Sequence, residues 1–297
     1  MLNSKNNQIS IINNKVKCDI IKYECKKQGV DALLIFTAII LGIIEGFTEF
    51  LPISSTGHLI VAAHLLNFHG AFAVLFEIVI QLGAILAVLY HYRCKIWDSL
   101  LKLKPGQAGF AFWSKILTAF FPFAVTGFLT KDLIEKYLFS PYTVAWALIC
   151  GAILILLVGR GQGSGVTRIA NLSYKSAFLI GVAQCLALFP GMSRSASTII
   201  GGLLLGLTLT EAAEFSFFLA IPTMLAATTV SLIHGVGSLT SQEALALSIG
   251  FLISFITALI VIDKFIAFLS KYSLRPFAYY RIVMGILIFI VFAGKLS

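Results

Sequence analysis

Charged residues are scarce in this chain of 297 residues. Asp, Glu, Lys and Arg make up 12% of it, whereas 59% is hydrophobic, and soluble domains carry about 25% charged residues. This composition excludes an ordinary soluble domain and is typical of an integral membrane protein. Because the apolar runs are long and do not alternate with polar residues, spanning helices are expected rather than a β-barrel.

Sequence patterns for metal clusters, disulfides and phosphate loops are also missing. The five cysteines show no CxxC or Cys/His spacing, and Cys94, Cys150 and Cys185 fall in or beside apolar runs. The glycine-rich segment at 161–165 lacks the Lys-Ser/Thr that would follow it in a phosphate loop. The net charge of +9 comes from Lys and Arg at the ends of apolar runs, so no nucleic-acid partner is expected.

The first 30 residues differ in composition from the rest of the chain. They are rich in Asn and Lys, and their apolar pieces are too short and too broken for a signal peptide or a membrane span. We predict a disordered, basic tail at 1–30, followed by a single transmembrane domain at 31–297.

The apolar runs fall into two classes by length. Six are long enough to cross a bilayer: 71–90, 110–130, 141–159, 212–233, 244–263 and 279–294. Two further pairs are interrupted by Pro and Gly, namely 32–51 with 59–67 and 176–190 with 196–209. Interrupted, short runs of this kind predict re-entrant helix hairpins that line a site.

A weak internal repeat relates the two hairpins. An alignment that matches Ser54 with Ser193 also superimposes their helix breaks, and the repeats then cover about 32–130 and 176–263. If the three basic loops share one side of the membrane, the hairpins enter from opposite faces. The expected fold is therefore an all-α, polytopic membrane protein with inverted repeats and two re-entrant helix hairpins.

Four acidic residues lie inside apolar runs: Glu45, Glu49, Glu77 and Glu214. A charge in the bilayer interior costs several kcal/mol, so such residues normally face a cavity and serve function; the alternative is a structural hydrogen bond to a neighbouring helix. Glu45 and Glu49 are four residues apart and share a helix face. Two such carboxylates suit a divalent cation or a shared proton.

The segment "PGMSRSAST" (190–198) follows the second hairpin's break. A helix that begins there presents free N–H groups and the positive end of its dipole. The Arg194 guanidinium matches phosphate oxygens, and Ser193, Ser195 and Thr198 add hydroxyl donors. The segment predicts a phosphate site; the alternative is a capped helix start with a snorkelling arginine.

The segment "PISSTGH" (52–58) repeats this arrangement in the first hairpin. Ser54 and Thr56 supply hydroxyls, and Ser55 and His58 are spaced to share a helix face. Histidine passes protons near neutral pH or attacks phosphorus, although a lone histidine in a helical bundle is often a structural hydrogen-bonding group. Carboxylates, hydroxyls and Arg194 at membrane depth together predict a phosphate or diphosphate substrate carried by a lipid.

The motifs "LGIIEGFTEFLPISSTGH" and "LFPGMSRSAST", together with "FEIVIQLGAILAV" and "EFSFFLAIP", resemble the bacterial undecaprenyl-diphosphate phosphatases, also called bacitracin-resistance proteins. The resemblance runs from about residue 32 to the C-terminus. It implies hydrolysis of undecaprenyl diphosphate to the monophosphate carrier used for peptidoglycan and other wall polymers. It also implies an inner-membrane protein whose active site faces the periplasm, a divalent cation (Mg²⁺ or Ca²⁺) and a homodimer, since the family is often dimeric.

The resemblance also assigns roles to residues. It implies a cation and acid–base role for Glu45 and Glu49, a nucleophilic or proton-transfer role for Ser55 and His58, and diphosphate binding by Arg194. The remaining members of the expected substrate-binding set are Ser54, Thr56, Ser193, Ser195, Thr198 and Glu214. Cation-assisted attack by Ser55, with His58 and Glu49 handling protons, is the favoured mechanism, whereas attack by His58 or by water stays open.

Two other functions fit parts of the pattern. Lipid phosphatases of the phosphatidic-acid type carry similar "SGH" and "SR" motifs, but they need a second histidine soon after the arginine, and "SRSASTIIGGLLLG" has none. A polyprenyl-phosphate transporter would use inverted repeats and buried charges in the same way. Phosphate release by the purified protein separates hydrolysis from transport, because transport needs two compartments.

Overall fold

The computed structural model describes residues 32–138, 140–158, 168–233 and 239–293. The tail predicted at 1–30 and the glycine-rich segment at 161–165 lie outside these residues. The division into a tail and one transmembrane domain stays a prediction.

Most of the described residues lie in helices. In chain order the α-helices are α1 (Ala32–Thr48), α2 (Ser55–Leu65), α3 (Ala71–His91), α4 (Arg93–Leu100), α5 (Ala108–Tyr137), α6 (Pro141–Val158), α7 (Tyr174–Gln184), α8 (Arg194–Leu204), α9 (Leu209–Ile233), α10 (Ser241–Leu269) and α11 (Arg275–Ala293). Short 3₁₀ turns at Ile169–Asn171 and Cys185–Leu188 precede and follow α7.

Six of these helices are long and apolar enough to cross a membrane, in the part of the chain that the structure describes. They are α3, α5, α6, α9, α10 and α11, which correspond to the six spans predicted from hydropathy. The all-α, polytopic prediction is therefore confirmed. The predicted spans 110–130 and 244–263 are each nine residues shorter than their helices, and the other four are within three residues of theirs in length. The difference arises because hydropathy does not register the polar turns that extend a helix beyond the hydrocarbon region.

Small residues let α10 approach its neighbours closely. A Cβ on Gly46 of α1 would collide with the Ser254 carbonyl, and one on Gly83 of α3 would lie 2.5 Å from the Phe251 carbonyl oxygen. The Ser254 hydroxyl also donates to the Ile80 carbonyl at 2.7 Å. Close backbone contact and interhelical hydrogen bonds of this kind replace the hydrophobic effect as the source of helix association in lipid.

The two interrupted helix pairs are α1 with α2 and α7 with α8. The first breaks between Thr48 and Ser55, and the second between Leu188 and Arg194. The first break is buried throughout, and the second is buried at Pro190, Gly191 and Met192 although Phe189 is exposed. Non-helical backbone is tolerated at membrane depth where it is buried in protein. The helix breaks predicted from Pro and Gly are present, whereas the inverted relation between the pairs stays a prediction.

Candidate active site

The two breaks have the same local geometry. Ser54 and Ser193 cap the helices that follow them, and both have a φ of 71°, which is unusual for a residue with a side chain. Each serine hydroxyl accepts a backbone N–H three residues on, from Gly57 at 3.4 Å and from Ala196 at 3.2 Å. The matched caps support the sequence alignment that paired these two serines.

Arg281 of α11 holds the two breaks together. It is fully buried, and its five N–H groups donate at 3.1 Å to five backbone carbonyls, namely those of Pro52, Ala147, Leu148, Gly191 and Met192. One carbonyl belongs to the first break, two to the second and two to α6. Sequence reasoning did not single out this arginine, although a cation inside the run 279–294 is the signal that could have found it.

A further hydrogen bond joins the breaks directly. The Ser195 hydroxyl, which is fully buried, donates to the Phe50 carbonyl at 2.7 Å. The breaks therefore meet inside the protein, as the site hypothesis requires. Ser195 was predicted to bind substrate, but its hydroxyl is directed at the backbone instead.

A cavity of about 170 Å³ lies where the breaks meet. Six of the residues predicted for the site line it, and these are Glu49, Ser54, Ser55, Thr56, Ser193 and Arg194. Gln81 of α3 and Thr223 of α9 complete its polar wall. Neither was predicted, because each is a neutral polar residue inside a span and carries no strong sequence signal.

Glu49 is the centre of the polar contacts in this cavity. Its Oε2 accepts the Ser55 hydroxyl at 2.5 Å, and its Oε1 faces an Arg194 guanidinium nitrogen at 3.3 Å. Glu49 and Arg194 are 7% and 10% exposed at their side chains, so this ion pair is largely removed from water. A hydroxyl on a carboxylate beside a guanidinium can transfer a proton and bind a phosphate in the same space.

Ser216 and Thr198 orient Arg194. The second terminal nitrogen of the guanidinium donates to the Ser216 carbonyl at 2.9 Å, and the Thr198 hydroxyl donates to Ser216 Oγ at 2.7 Å. Thr198 was predicted to bind substrate, but it lies behind the arginine and does not line the cavity. The Arg194 Nε is buried and has no hydrogen-bond partner among the described residues.

Glu45 lies one helical turn before Glu49 and is 1% exposed. Glu49, Glu77 and Arg194 are near enough to act on it electrostatically, and its Oε1 has no hydrogen-bond partner among the described residues. No three His, Cys, Asp or Glu side chains of the described structure form a metal-binding group. Glu45 and Glu49 are two neighbouring carboxylates, a number that Mg²⁺ can take when substrate phosphate and water complete its shell, and the divalent cation stays a prediction.

His58 is directed away from Ser55. Its Nδ1 donates to the Ser54 carbonyl at 2.7 Å, so its Nε2 accepts the Tyr280 hydroxyl at 2.6 Å. The imidazole and phenol rings are parallel, with centroids 5.5 Å apart. His58 does not line the cavity, and Tyr280, which is 222 residues away in sequence, could not have been matched to it from the sequence.

Glu214 lies in a different group of residues. Its carboxylate pairs with Lys95 at 2.6 Å and is near Tyr92. Burial, and then the negative charges of Glu214 and Asp263, raise the pKa of Tyr92. The structure does not bring Glu214 to the cavity, and its role in substrate binding stays a prediction.

An apolar groove of about 510 Å³ adjoins the polar cavity. The two share the lining residues Thr56, Phe123, Ala187, Pro190, Thr223 and Ala227. Beyond them the groove is lined mainly by Phe, Leu, Ile and Ala side chains of α5, α9 and the 3₁₀ turn Cys185–Leu188, together with Lys131 of α5. A polar cavity that continues into an apolar groove fits an amphiphile whose head is a phosphate.

Comparison with known proteins gives a family match over most of the chain. The model of the family described as "Bacitracin resistance protein BacA" matches residues 38–287. A protein of Thermoanaerobacter pseudethanolicus named undecaprenyl-diphosphatase is 56% identical over 265 residues, which cover 89% of this chain and 98% of the relative. An undecaprenyl-diphosphatase of Clostridium tetani is 47% identical over 271 residues, 89% of this chain and 98% of its own.

A third relative gives a similar result. The protein of Acinetobacter baylyi named undecaprenyl-diphosphatase 3 is 49% identical over 258 residues, which cover 86% of this chain and 97% of the relative. The family match covers both helix breaks and Arg281, and it therefore includes every residue that lines the cavity.

Proposed function

Since the chain belongs to the bacitracin resistance protein BacA family, we propose that its cavity removes the terminal phosphate of undecaprenyl diphosphate. The products are undecaprenyl phosphate and inorganic phosphate, and the reaction recycles the lipid carrier for cell-wall synthesis. The observation that carries this function is the contact between Ser55 and Glu49 beside Arg194, in a cavity that continues into an apolar groove.

Glu49 and Ser55 carry the proton and the nucleophile in this proposal. Glu49 Oε2 accepts the Ser55 proton while Ser55 Oγ attacks the terminal phosphorus. The bond from that phosphorus to the bridging oxygen breaks, and the lipid monophosphate leaves. Water then hydrolyses the phosphoserine. The 2.5 Å hydrogen bond favours Glu49 over His58 as the base, because the Nε2 of His58 is occupied by Tyr280.

Arg194 binds the diphosphate. In the described structure its guanidinium is held by Ser216 and Glu49, and its Nε has no partner. A diphosphate that enters the cavity offers oxygens to this nitrogen and competes with Glu49 for the other. Positioning and neutralisation of charge are the main contributions to phosphoryl transfer.

Glu45 and Glu49 would hold a divalent cation, Mg²⁺ or Ca²⁺. Glu45 would supply an oxygen that has no hydrogen-bond partner among the described residues, and Glu49 would supply the second carboxylate. Such a cation would supply positive charge that offsets the charge of the phosphate oxygens. The carboxylates of Glu45 and Glu49, close together in a buried site, are otherwise repelled by each other and by the incoming diphosphate.

The apolar groove holds the first isoprene units of the substrate. Its lining between α5 and α9 is apolar and continuous with the polar cavity, so the prenyl chain and the diphosphate are held by adjoining surfaces. The cavity opens towards the periplasm in this proposal, because the basic loops then lie in the cytoplasm as the positive-inside rule requires. We also infer that the protein forms a homodimer in the membrane.

Phosphate release from undecaprenyl diphosphate by the purified protein in detergent tests the function. We expect release by the wild-type protein, loss of release in a chelator, recovery with Mg²⁺ or Ca²⁺, and at least about 100-fold lower kcat/KM for Arg194→Ala. Full activity in the chelator would contradict the cation site, and no release at all would contradict the activity.

A further inference from the structure

A second cavity lies away from the proposed active site. It has a volume of about 410 Å³ and is formed by α4, the start of α5, the 3₁₀ turn Ile169–Asn171 and the start of α9. Glu211 of α9 lines this cavity, and Thr223 of the same helix lines the active-site cavity. Twelve residues of helix separate them, or about 18 Å at 1.5 Å per residue.

The second cavity has an excess of positive charge. Four cations line it, namely Lys95, Lys102, Lys115 and Arg168, and two carboxylates, Asp98 and Glu211. Lys95 is already paired with Glu214. The Glu211 carboxylate accepts the Ile169 N–H at 2.7 Å, so it is also engaged in holding the 3₁₀ turn.

Lys115 is a buried cation without a carboxylate partner. It is 7% exposed, and its ammonium donates to the Ala170 carbonyl at 2.6 Å. Among the described residues no carboxylate forms an ion pair with it, although an ammonium has three donors. Burial of a charge in this way is unfavourable unless an opposite charge is supplied. An anion in the cavity would supply it.

The side chains around this cavity indicate that the anion belongs to a lipid. Phe112, Ala108 and Ala111 form an apolar part of its wall. On α4 and the segment after it, Trp97 and Leu101 are 65% and 67% exposed. Exposed Trp and Leu beside Lys and Arg are typical of a segment at the membrane interface, where a headgroup lies among cations and acyl chains lie beside apolar side chains.

We propose that the cavity between α4, α5 and the Ile169–Asn171 turn binds the phosphodiester headgroup of an anionic phospholipid. Arg168 and Lys102 are exposed and, in the described structure, have no side-chain partner, so both can contact the phosphate at the mouth of the cavity. Lys115 contacts it from within. Basic pockets between membrane helices bind anionic headgroups in this way.

Native mass spectrometry of the full chain in detergent tests this site, with phosphatidylglycerol, phosphatidylcholine and inorganic phosphate as probes. Wild-type protein should retain phosphatidylglycerol in preference to phosphatidylcholine, and excess inorganic phosphate should not displace it. The double variant Lys102→Gln/Arg168→Gln should bind phosphatidylglycerol about 25-fold more weakly, at about fivefold for each cation. Lys264→Gln/Lys271→Gln removes two exposed cations elsewhere and should bind as the wild type does.

Three results would overturn the proposal. The first is that both double variants retain phosphatidylglycerol equally well, and the second is that the wild-type protein retains phosphatidylglycerol and phosphatidylcholine equally well. The third is that inorganic phosphate displaces phosphatidylglycerol, which would make the ligand a free anion. Lys115→Met tests the buried cation and should weaken retention further, provided that it unfolds at the wild-type Tm. Lys102→Gln/Arg168→Gln should release phosphate from undecaprenyl diphosphate at the wild-type rate. A failure of the lipid-site proposal can therefore be told apart from a failure of the proposed enzymatic function.

Discussion

At the scale of single residues, Glu49 has partners of two kinds. One oxygen accepts the Ser55 hydroxyl and the other faces the Arg194 guanidinium. Glu49 can therefore be the base for Ser55 and can release Arg194 to a phosphate, without any rearrangement of the backbone.

Replacement of the proposed nucleophile tests its chemistry. Ser55→Ala should lower kcat by roughly 1,000-fold or more, because neither a phosphoserine nor its hydrogen bond to Glu49 can form. Phosphate release measures this effect. Ser248→Ala, which removes an exposed hydroxyl from α10, is the matched control and should leave the rate unchanged. A rate for Ser55→Ala near that of the control would exclude attack by Ser55.

The shape of the cation at position 194 should also matter. Arg194→Lys keeps the charge but cannot contact Ser216 and Glu49 with two separate nitrogens as the guanidinium does. We expect KM to rise about tenfold and kcat to fall. Steady-state kinetics over a range of substrate concentrations separate the two effects. Wild-type kinetics in this variant would show that charge alone is sufficient at this position.

At the scale of elements, each helix break places a capping serine in a strained conformation. Ser54 and Ser193 both have a φ of 71°, and strain of this kind costs about 1–3 kcal/mol and is concentrated at functional sites. The gain is that the hydroxyl-bearing turns face the cavity. We interpret the breaks as a pair of matched turns that favour ligand contact over stability.

Two substitutions of Ser193 separate strain from capping. Glycine adopts a positive φ without strain and weakens a helix cap by only a few tenths of a kcal/mol, whereas alanine loses the cap, about 1 kcal/mol, and keeps the strain. Ser193→Gly should therefore have a Tm at or above the wild type, and Ser193→Ala a lower one. Both should have reduced activity, since the Ser193 hydroxyl lines the cavity. A lower Tm for Ser193→Gly than for Ser193→Ala would contradict the interpretation that the Ser193 backbone is strained.

The spanning helices and the positions of the two helix breaks could be predicted from the sequence. Runs of apolar residues are long in the six spanning helices, and Pro52, Pro190 and Gly191 interrupt the two hairpins. The directions of the hydroxyls could not be predicted. Ser195 and Thr198 are directed at backbone and at Ser216, because within a helix a rotation of one side chain decides whether its hydroxyl meets ligand or protein.

At the scale of the whole molecule, α11 holds the two halves of the site together. Arg281 satisfies one carbonyl of the first break and two of the second, and a Cβ at Gly151 of α6 would collide with its guanidinium. This arrangement explains why a charge persists inside a span. It also joins residues more than 200 positions apart, so that only the folded chain reveals it.

Removal of this guanidinium should destabilise the fold. Arg281→Met leaves five buried carbonyls without their donor, at about 1–3 kcal/mol for each one that finds no replacement. We expect a clear fall in Tm, measured by thermal unfolding in detergent, and loss of activity with it. Arg275→Met, which replaces an exposed arginine at the start of the same helix, should unfold near the wild-type Tm, and equal Tm values for the two would contradict the role of Arg281.

The partners of His58 could likewise not be predicted. Sequence spacing placed His58 beside Ser55 and made it a candidate for proton transfer, but Tyr280 of α11 and the Ser54 carbonyl occupy its two nitrogens. Spacing on one helix face shows which residues can be neighbours and not which contacts they make with a distant helix. The roles of the individual site residues stay predictions that activity measurements decide.

The most direct test is the rate of phosphate release from undecaprenyl diphosphate by Glu49→Gln. An amide cannot accept the Ser55 proton as a carboxylate does, so kcat should fall by roughly 100- to 10,000-fold with little change in Tm. Glu243→Gln is the matched control, because glutamine can replace glutamate in the capping box at the start of α10, and it should keep the wild-type rate. If Glu49→Gln released phosphate as fast as Glu243→Gln, Glu49 would not be the base and the proposed mechanism would be wrong.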